Sequence, residues 1–139
     1  MDNNKIEALY DFLMEYPMLQ YMYFNFGNAE NGATFLLYDN DTIINEYNDG
    51  FKERVLVCQI APYKDFSTDF LPTENIQDLF TVQKFRDWIQ EQNDNHHFPS
   101  FKGCTINEII TEDISIAGED PEENLAKYMF PIKIYYLEE

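Results

Sequence analysis

The C-terminal segment from Lys127 to Tyr136 constrains the fold more than any other feature of the sequence, because every second residue from Tyr128 onward is large and apolar or aromatic, while both lysines fall in the other set. One set of alternate positions is wholly apolar or aromatic and comprises Tyr128, Phe130, Ile132, Ile134 and Tyr136. Successive side chains of a β-strand point to opposite faces of a sheet, so this period predicts a terminal strand with one face in the core. Pro131 cannot donate a hydrogen bond to a neighbouring strand, which favours an edge position or a bulge.

Two segments have the three- and four-residue spacing of apolar side chains that is typical of helices. The first begins at Asn3 or Asn4, either of which can cap it, and Pro17 marks its end. The second begins at Pro72 and extends to about residue 92 or 93. Its apolar stripe consists of Ile76, Leu79, Phe80, Phe85, Trp88 and Ile89. We expect a short N-terminal helix and one long central helix.

The other structured segments are rich in β-branched and aromatic residues. The pair Asp49-Gly50 between two such runs predicts a hairpin, because glycine accepts a positive φ. The predicted strands are residues 20–26, 33–38, 42–47, 52–60, 105–111, 114–116 and the terminal segment. The acidic stretches 39–41 and 118–124 are predicted to be polar loops. This order predicts a single α+β domain over residues 1–139, with helices packed on a mainly antiparallel sheet.

The net charge of -17, from 26 acidic and 9 basic residues, excludes several classes of partner. Duplex DNA and anionic membrane surfaces would both be repelled. The N-terminus lacks the pattern of a signal peptide, and no stretch approaches the roughly 20 apolar residues of a membrane span. Cys58 lies in an apolar run, and two cysteines alone favour a reduced cytoplasmic setting. The charge itself is compatible with solubility alone, with a basic protein partner, or with a surface that DNA passes without being held.

Candidate catalytic residues are restricted to the adjacent pair His96 and His97. The sequence after them lacks the Asp-Gly of the His-His-x-x-x-Asp-Gly motif of chloramphenicol acetyltransferases. The two cysteines are isolated, and neither acidic stretch has the spaced oxygen ligands of a calcium loop. Phosphate-binding and nucleophile-elbow motifs are also missing. We therefore predict no enzymatic activity, no catalytic residue, no metal site and no cofactor.

Aromatic side chains exceed what one core face needs, since large rings occupy both faces of some predicted strands. Tyr135 and Tyr136 are adjacent in the terminal strand, and Phe24 and Phe26 belong to an aromatic-rich run near the N-terminus. Aromatic residues are enriched at protein interfaces. These four residues are therefore predicted subunit contacts.

The order of several motifs resembles a family of minor structural proteins from phages of Gram-positive bacteria. The segments concerned lie between residues 42 and 137 and are Tyr47-Asn48-Asp49-Gly50, the helix end from Phe85 to Asn93, Phe98-Pro99 and Ala126-Lys127-Tyr128. These proteins are tail terminators or tail-completion proteins, some of which carry a chloramphenicol-resistance label. The chain departs from them in having Val55-Leu56-Val57-Cys58-Gln59 in place of a more aromatic strand, and in lacking a glycine near His96.

The resemblance implies an α+β fold in which helices flank a sheet. It also implies a homo-oligomeric ring, a hexamer, that caps the tail tube and joins it to the head–tail connector. Such a protein belongs to the virion and is found in the host cytoplasm during assembly. Asp49 and Gly50, at the hairpin tip, are expected to contact a neighbouring subunit or the tube. A negatively charged lining would let DNA pass without specific binding. The residues expected to provide that lining are Asp39, Asp41, Glu119, Asp120, Glu122 and Glu123.

A different function fits the same size, acidity and lack of catalytic residues. An acidic binding module, such as a bacterial immunity protein, could neutralise a basic toxin by electrostatic complementarity. A neighbouring toxin gene would favour this alternative, whereas tail-tube and tape-measure genes would favour the ring.

Overall fold

A computed structural model of the chain describes residues 3–16, 22–24, 34–65, 72–120 and 125–139. Within these ranges the chain forms two helices and one six-stranded sheet. In chain order the elements are α1 Asn3–Leu13, β1 Met22–Phe24, β2 Thr34–Glu46, β3 Lys52–Asp65, α2 Pro72–Asp94, β4 Cys104–Thr111, β5 Ser115–Asp120 and β6 Leu125–Glu138.

The sheet has the strand order β1-β2-β3-β6-β4, and β5 also pairs with β6. All neighbours are antiparallel except β1 and β2, which are parallel over Met22–Phe24 and Thr34–Leu36. The predicted α+β fold is thus confirmed, with its mainly antiparallel sheet, short N-terminal helix and long central helix.

Both helices pack on the same face of the sheet. Apolar side chains of α1 and α2 meet the inward residues of β3 and β6, and Phe12 of α1 contacts Trp88 of α2 with ring centroids 5.7 Å apart. The predicted period of β6 is confirmed, since Tyr128 and the four alternate residues that follow it are all buried. Within the described ranges, neither helix combines the length and apolarity that a membrane crossing requires.

Of the two alternatives predicted for Pro131, an edge position or a bulge, the edge position is wrong, because β6 is central. β6 pairs with β3 on one side and with β4 and then β5 on the other. Pro131 lies opposite the interruption between β4 and β5, where its carbonyl accepts a hydrogen bond from the Glu112 amide at 3.0 Å. The amide and carbonyl of one strand residue face the same neighbour, so the missing N–H of proline faces this gap. A central strand therefore tolerates proline here.

The expectation of a polar loop at residues 39–41 is also wrong. β2 continues through Asp39 and Asp41, and its pairing with β3 shifts between Tyr38 and Asn40 and again between Ile43 and Asn45. These β-bulges add a residue on the edge strand and change which side chains face inward. In the other acidic stretch β5 continues to Asp120, and residues 121–124 lie outside the described part of the chain.

Candidate assembly surfaces

The β2–β3 hairpin closes as the sequence predicts. Gly50 has a φ of 91°, and its amide donates to the Tyr47 carbonyl at 3.0 Å. The Asp49 carboxylate accepts a hydrogen bond from the Phe51 amide at 3.2 Å. Asp49 and Gly50 are exposed at the tip, where they are accessible to another molecule.

The first β-bulge of β2 turns Asp41 inward, toward the helices. Its carboxylate lies 3.2 Å from the Lys5 ammonium and 3.2 Å from Nε of Arg54, and only 8% of its side chain is exposed. Tyr136 accepts a hydrogen bond from Lys5 at 2.6 Å and donates one to Asp41 at 2.7 Å. Glu138 adds a second carboxylate, 3.5 Å from Lys5. We call Lys5, Asp41, Arg54, Tyr136 and Glu138 the buried charge cluster.

The pKa values of the buried charge cluster follow from this geometry. Burial acts to raise the pKa of Asp41, but hydrogen bonds from Tyr136, Lys5 and Arg54 hold it below its ordinary value. Burial acts to lower the pKa of Lys5. The hydrogen bonds that Lys5 makes to Tyr136 and Asp41 outweigh this effect of burial and raise its pKa. The pKa of Tyr136 rises to about 12, chiefly through burial. Lys5 and Asp41 are therefore a charged pair at neutral pH, and Tyr136 is a neutral hydrogen-bonding partner of both.

This geometry corrects two predicted roles. Asp41 is enclosed and paired with two cations, so it is not a channel-facing charge in this subunit. Tyr136 is completely buried, so it belongs to the core rather than to a subunit interface. Asp39 is exposed on β2, as its predicted role requires, and accepts a hydrogen bond from Gln59 at 2.9 Å.

Tyr135 lies on the sheet face opposite the helices, which we call the open face. It pairs in register with Val55 of β3, and both side chains are partly exposed. Val57 and Leu137 have the same orientation and the same partial exposure, whereas the inward residues Leu56 and Ile134 are fully buried. The open face therefore presents apolar side chains that no helix of the described ranges covers.

A second apolar surface lies on the edge hairpin. Ile43, Ile44 and Tyr47 are 47%, 43% and 47% exposed, although each is large and apolar or aromatic. The second β-bulge makes Ile44 the extra residue of β2, because Ile43 pairs with Arg54 and Asn45 with Glu53. We call Ile43, Ile44 and Tyr47 the hairpin patch.

The remaining predicted site residues lie at the end of the sheet away from the β2–β3 hairpin tip, or outside the described ranges. Phe24 ends β1 opposite Leu36 of β2. Glu119 and Asp120 are in β5 and pair with Ala126 and Leu125 of β6. The predictions for Phe26, Glu122 and Glu123 fall outside the described residues.

The two histidines have structural roles at the end of α2. His96 has a φ of 56°, and its amide and that of His97 donate to the carbonyls of Asn93 and Gln92. This pattern closes a helix with a residue in the left-handed conformation, which histidine adopts more readily than most. The His97 ring packs against Phe12, with centroids 5.7 Å apart, and its Nε2 lies 3.1 Å from the Glu15 carboxylate. Both contacts connect the ends of the helices.

Sequence reasoning missed Lys5 and Arg54, although a signal for each was present. Lys5 lies four residues before Leu9, on the apolar side of α1. Arg54 has the same phase as the buried positions Leu56 and Cys58 of β3. A charge in phase with a core stripe requires a buried partner. Asp41 offered no such signal, because the bulge that turns it inward has no sequence signature here.

Among the described residues, no group of three or more His, Cys, Asp or Glu side chains is arranged to hold a metal ion. No protein-family model and no curated protein matches this sequence.

Proposed function

We propose that this chain is a non-enzymatic, tail-terminator-like structural protein of a bacteriophage. Its copies form a ring, a hexamer by the resemblance, that caps the tail tube and joins it to the head connector. The protein then belongs to the virion and assembles in the host cytoplasm. The ordered motifs between residues 42 and 137 support this proposal, and so does the fold class expected from the resemblance.

The observation that carries the proposal is the open face. Both described helices cover one side of the sheet, while Tyr135, Val55 and Val57 remain partly exposed on the other. Contiguous apolar surface of this kind is typical of protein interfaces. We therefore propose that Tyr135 contacts a neighbouring subunit through this face, as its sequence position led us to expect.

Charge supports the same role. Each copy carries a net charge of -17, so a ring would repel the phosphates of DNA in its channel. We retain Asp39, Glu119 and Asp120, with Glu122 and Glu123, as the proposed lining. Asp49 and Gly50 at the hairpin tip are proposed to contact a neighbour or the tube protein.

The test is assembly of the purified protein, measured by light scattering after gel filtration and by negative-stain electron microscopy. The wild type should form rings, and Tyr135→Lys should remain monomeric with an unchanged circular dichroism spectrum. Phe80→Lys is the matched control, because Phe80 is 55% exposed on α2, away from the open face. This variant should assemble normally.

A wild-type protein that stays monomeric at high concentration and high salt would contradict the ring. If a neighbouring gene encoded a basic toxin and such a monomer bound and inhibited it, the immunity-protein function would replace our proposal.

A further inference from the structure

The two edges of the sheet differ in how their outward backbone groups are satisfied. At β4, the Ile109 amide donates to the Asn93 side chain at 2.9 Å, and the Thr111 amide donates to Gln90 at 3.4 Å. Both acceptors belong to α2, so this helix covers the β4 edge. β2 pairs with β1 only over Thr34–Leu36, and beyond Leu36 its only described neighbour is β3. The segment of β2 from Asp39 to Glu46 therefore has one edge without a neighbouring strand among the described residues.

The hairpin patch lies on this edge and differs from ordinary edge strands. Proteins commonly protect an exposed edge with lysine. Residues 37–50 contain no Lys or Arg, and Ile43 and Ile44 are exposed instead. Exposed neighbouring apolar side chains of this size indicate a surface that another molecule covers.

The charges around the hairpin patch identify the chemistry of that molecule. Lys5 and Arg54 on the inward side are already bonded to Asp41. Lys52, which pairs in register with Glu46, is a further cation beside the patch, and the three carboxylates around the patch outnumber it. Glu46, Asp49 and Glu53 remain around the patch, and Glu53 accepts a hydrogen bond from the Tyr47 hydroxyl at 2.9 Å. A rim of carboxylates around an apolar centre is complementary to lysine and arginine around an apolar anchor. A second copy of this chain would bring further negative charge to the rim.

We propose that the hairpin patch binds a basic protein segment that inserts apolar side chains against Ile43, Ile44 and Tyr47, while its Lys or Arg residues meet Glu46, Asp49 and Glu53. The patch lies at the sheet edge, whereas the proposed ring contact uses the open face. The two surfaces adjoin at Glu53, which pairs in register with Leu137 of the open face, so substitutions at Ile43 and Ile44 on one surface and at Tyr135 on the other distinguish them.

The probe is a fluorescent peptide with alternating Lys and Val, compared with an alternating Lys and Gly peptide of equal length and charge. Binding to the wild-type protein is measured by fluorescence anisotropy at physiological salt. The Lys–Val peptide should bind at least about tenfold more tightly, because only its valines can cover the isoleucines. Ile43→Thr/Ile44→Thr should remove this preference, since threonine keeps the β-branched shape but adds a hydroxyl. Glu46→Gln/Glu53→Gln should weaken binding of both peptides.

Phe80→Ser is the matched control, because it removes the other large exposed apolar side chain of the described residues and should leave both affinities unchanged. Tyr135→Lys should abolish ring formation yet retain the preference for Lys–Val. Equal binding of the two peptides, or an unchanged preference in Ile43→Thr/Ile44→Thr, would overturn the inference by showing attraction through net charge alone. Loss of self-association in that variant, with peptide binding intact, would overturn it in favour of a subunit contact.

Discussion

Lys5 and Asp41 form an ion pair in which each side chain is only 8% exposed. Removal of charges from water is costly, and the pair persists because Tyr136 and Arg54 satisfy the remaining hydrogen-bonding capacity of Asp41. The Lys5 ammonium also lies 4.7 Å from the centre of the Tyr136 ring, a favourable cation–π distance. These contacts hold the first turn of α1 against β2 and β6.

Lys5→Met should lower the free energy of unfolding by about 3 kcal/mol, because Asp41 loses one cation in a buried site while Arg54 still faces it. Urea unfolding followed by circular dichroism measures the change. Lys133→Met is the matched control, since the Lys133–Glu112 pair at 2.7 Å lies at the surface. Its midpoint should not move, and an equal loss in both variants would contradict a special role for the buried charge cluster.

The pH dependence of the free energy of unfolding should show the protonation of Asp41. Its folded-state pKa is lower than the ordinary 3.8, so the unfolded chain binds this proton more readily. The stabilisation is therefore present above about pH 4 and disappears as the pH falls through the folded-state pKa. Asp41→Asn removes this contribution at neutral pH. The difference in unfolding free energy between wild type and Asp41→Asn should shrink below about pH 4, and a difference independent of pH would contradict the assignment.

At the scale of elements, the β4 edge shows how a helix protects a strand. Asn93 accepts from the Ile109 amide, so Asn93→Ala should leave that partly buried amide without its acceptor. The expected loss is about 1–2 kcal/mol, together with faster hydrogen exchange at Ile109, measured by NMR. Glu91→Ala is the control on the same helix, because Glu91 is exposed. Unchanged exchange at Ile109 in Asn93→Ala would show that water replaces the side chain without loss.

Elements with a long, regular period were predictable from the sequence. The alternation around Ile132 appears in the structure, because it buries one face of one strand. The α2 stripe is confirmed only in its second half: Phe85 and Ile89 are buried, whereas Phe80 is 55% exposed, so its predicted place in the stripe is wrong. The side chains of Ile76 and Leu79 lie outside the described residues.

The central position of β6 was not predictable, since Pro131 is tolerated only through the local interruption between β4 and β5. The continuity of β2 could not be predicted either. A run of acidic residues is typical of a loop, and the ion pair of Asp41 with Lys5, which allows such a residue within a strand, is a tertiary contact that the sequence does not reveal.

The candidate surfaces, too, could be predicted only as far as local sequence patterns determine them. Tyr135 and the hairpin tip could be identified from strand phase and turn chemistry, and both are accessible. Tyr136 shares the strand phase of Ile132 and Ile134, the face predicted to lie in the core, so its prediction as a subunit contact conflicted with the sequence pattern itself, and its burial agrees with that pattern. Ile43 and Ile44 appeared to be ordinary strand residues, and their exposure follows from the position of β2 at the edge.

At the scale of the whole molecule, net charge opposes the assembly that the open face favours. Copies that each carry a charge of -17 repel one another, while burial of Tyr135, Val55 and Val57 is attractive and depends little on salt. The repulsion is screened over about 30 Å at 0.01 M ionic strength and about 8 Å at 0.15 M. Added salt should therefore shift the equilibrium from monomers toward the ring.

Mass photometry across a series of sodium chloride concentrations tests this balance. Ring formation should increase as ionic strength rises, and Tyr135→Lys should remain monomeric throughout. Binding of the Lys–Val peptide to the hairpin patch should respond in the opposite direction, because its attraction to Glu46 and Glu53 is screened by the same ions. Assembly that weakened with salt would mean that ion pairs, rather than the apolar open face, hold the subunits together.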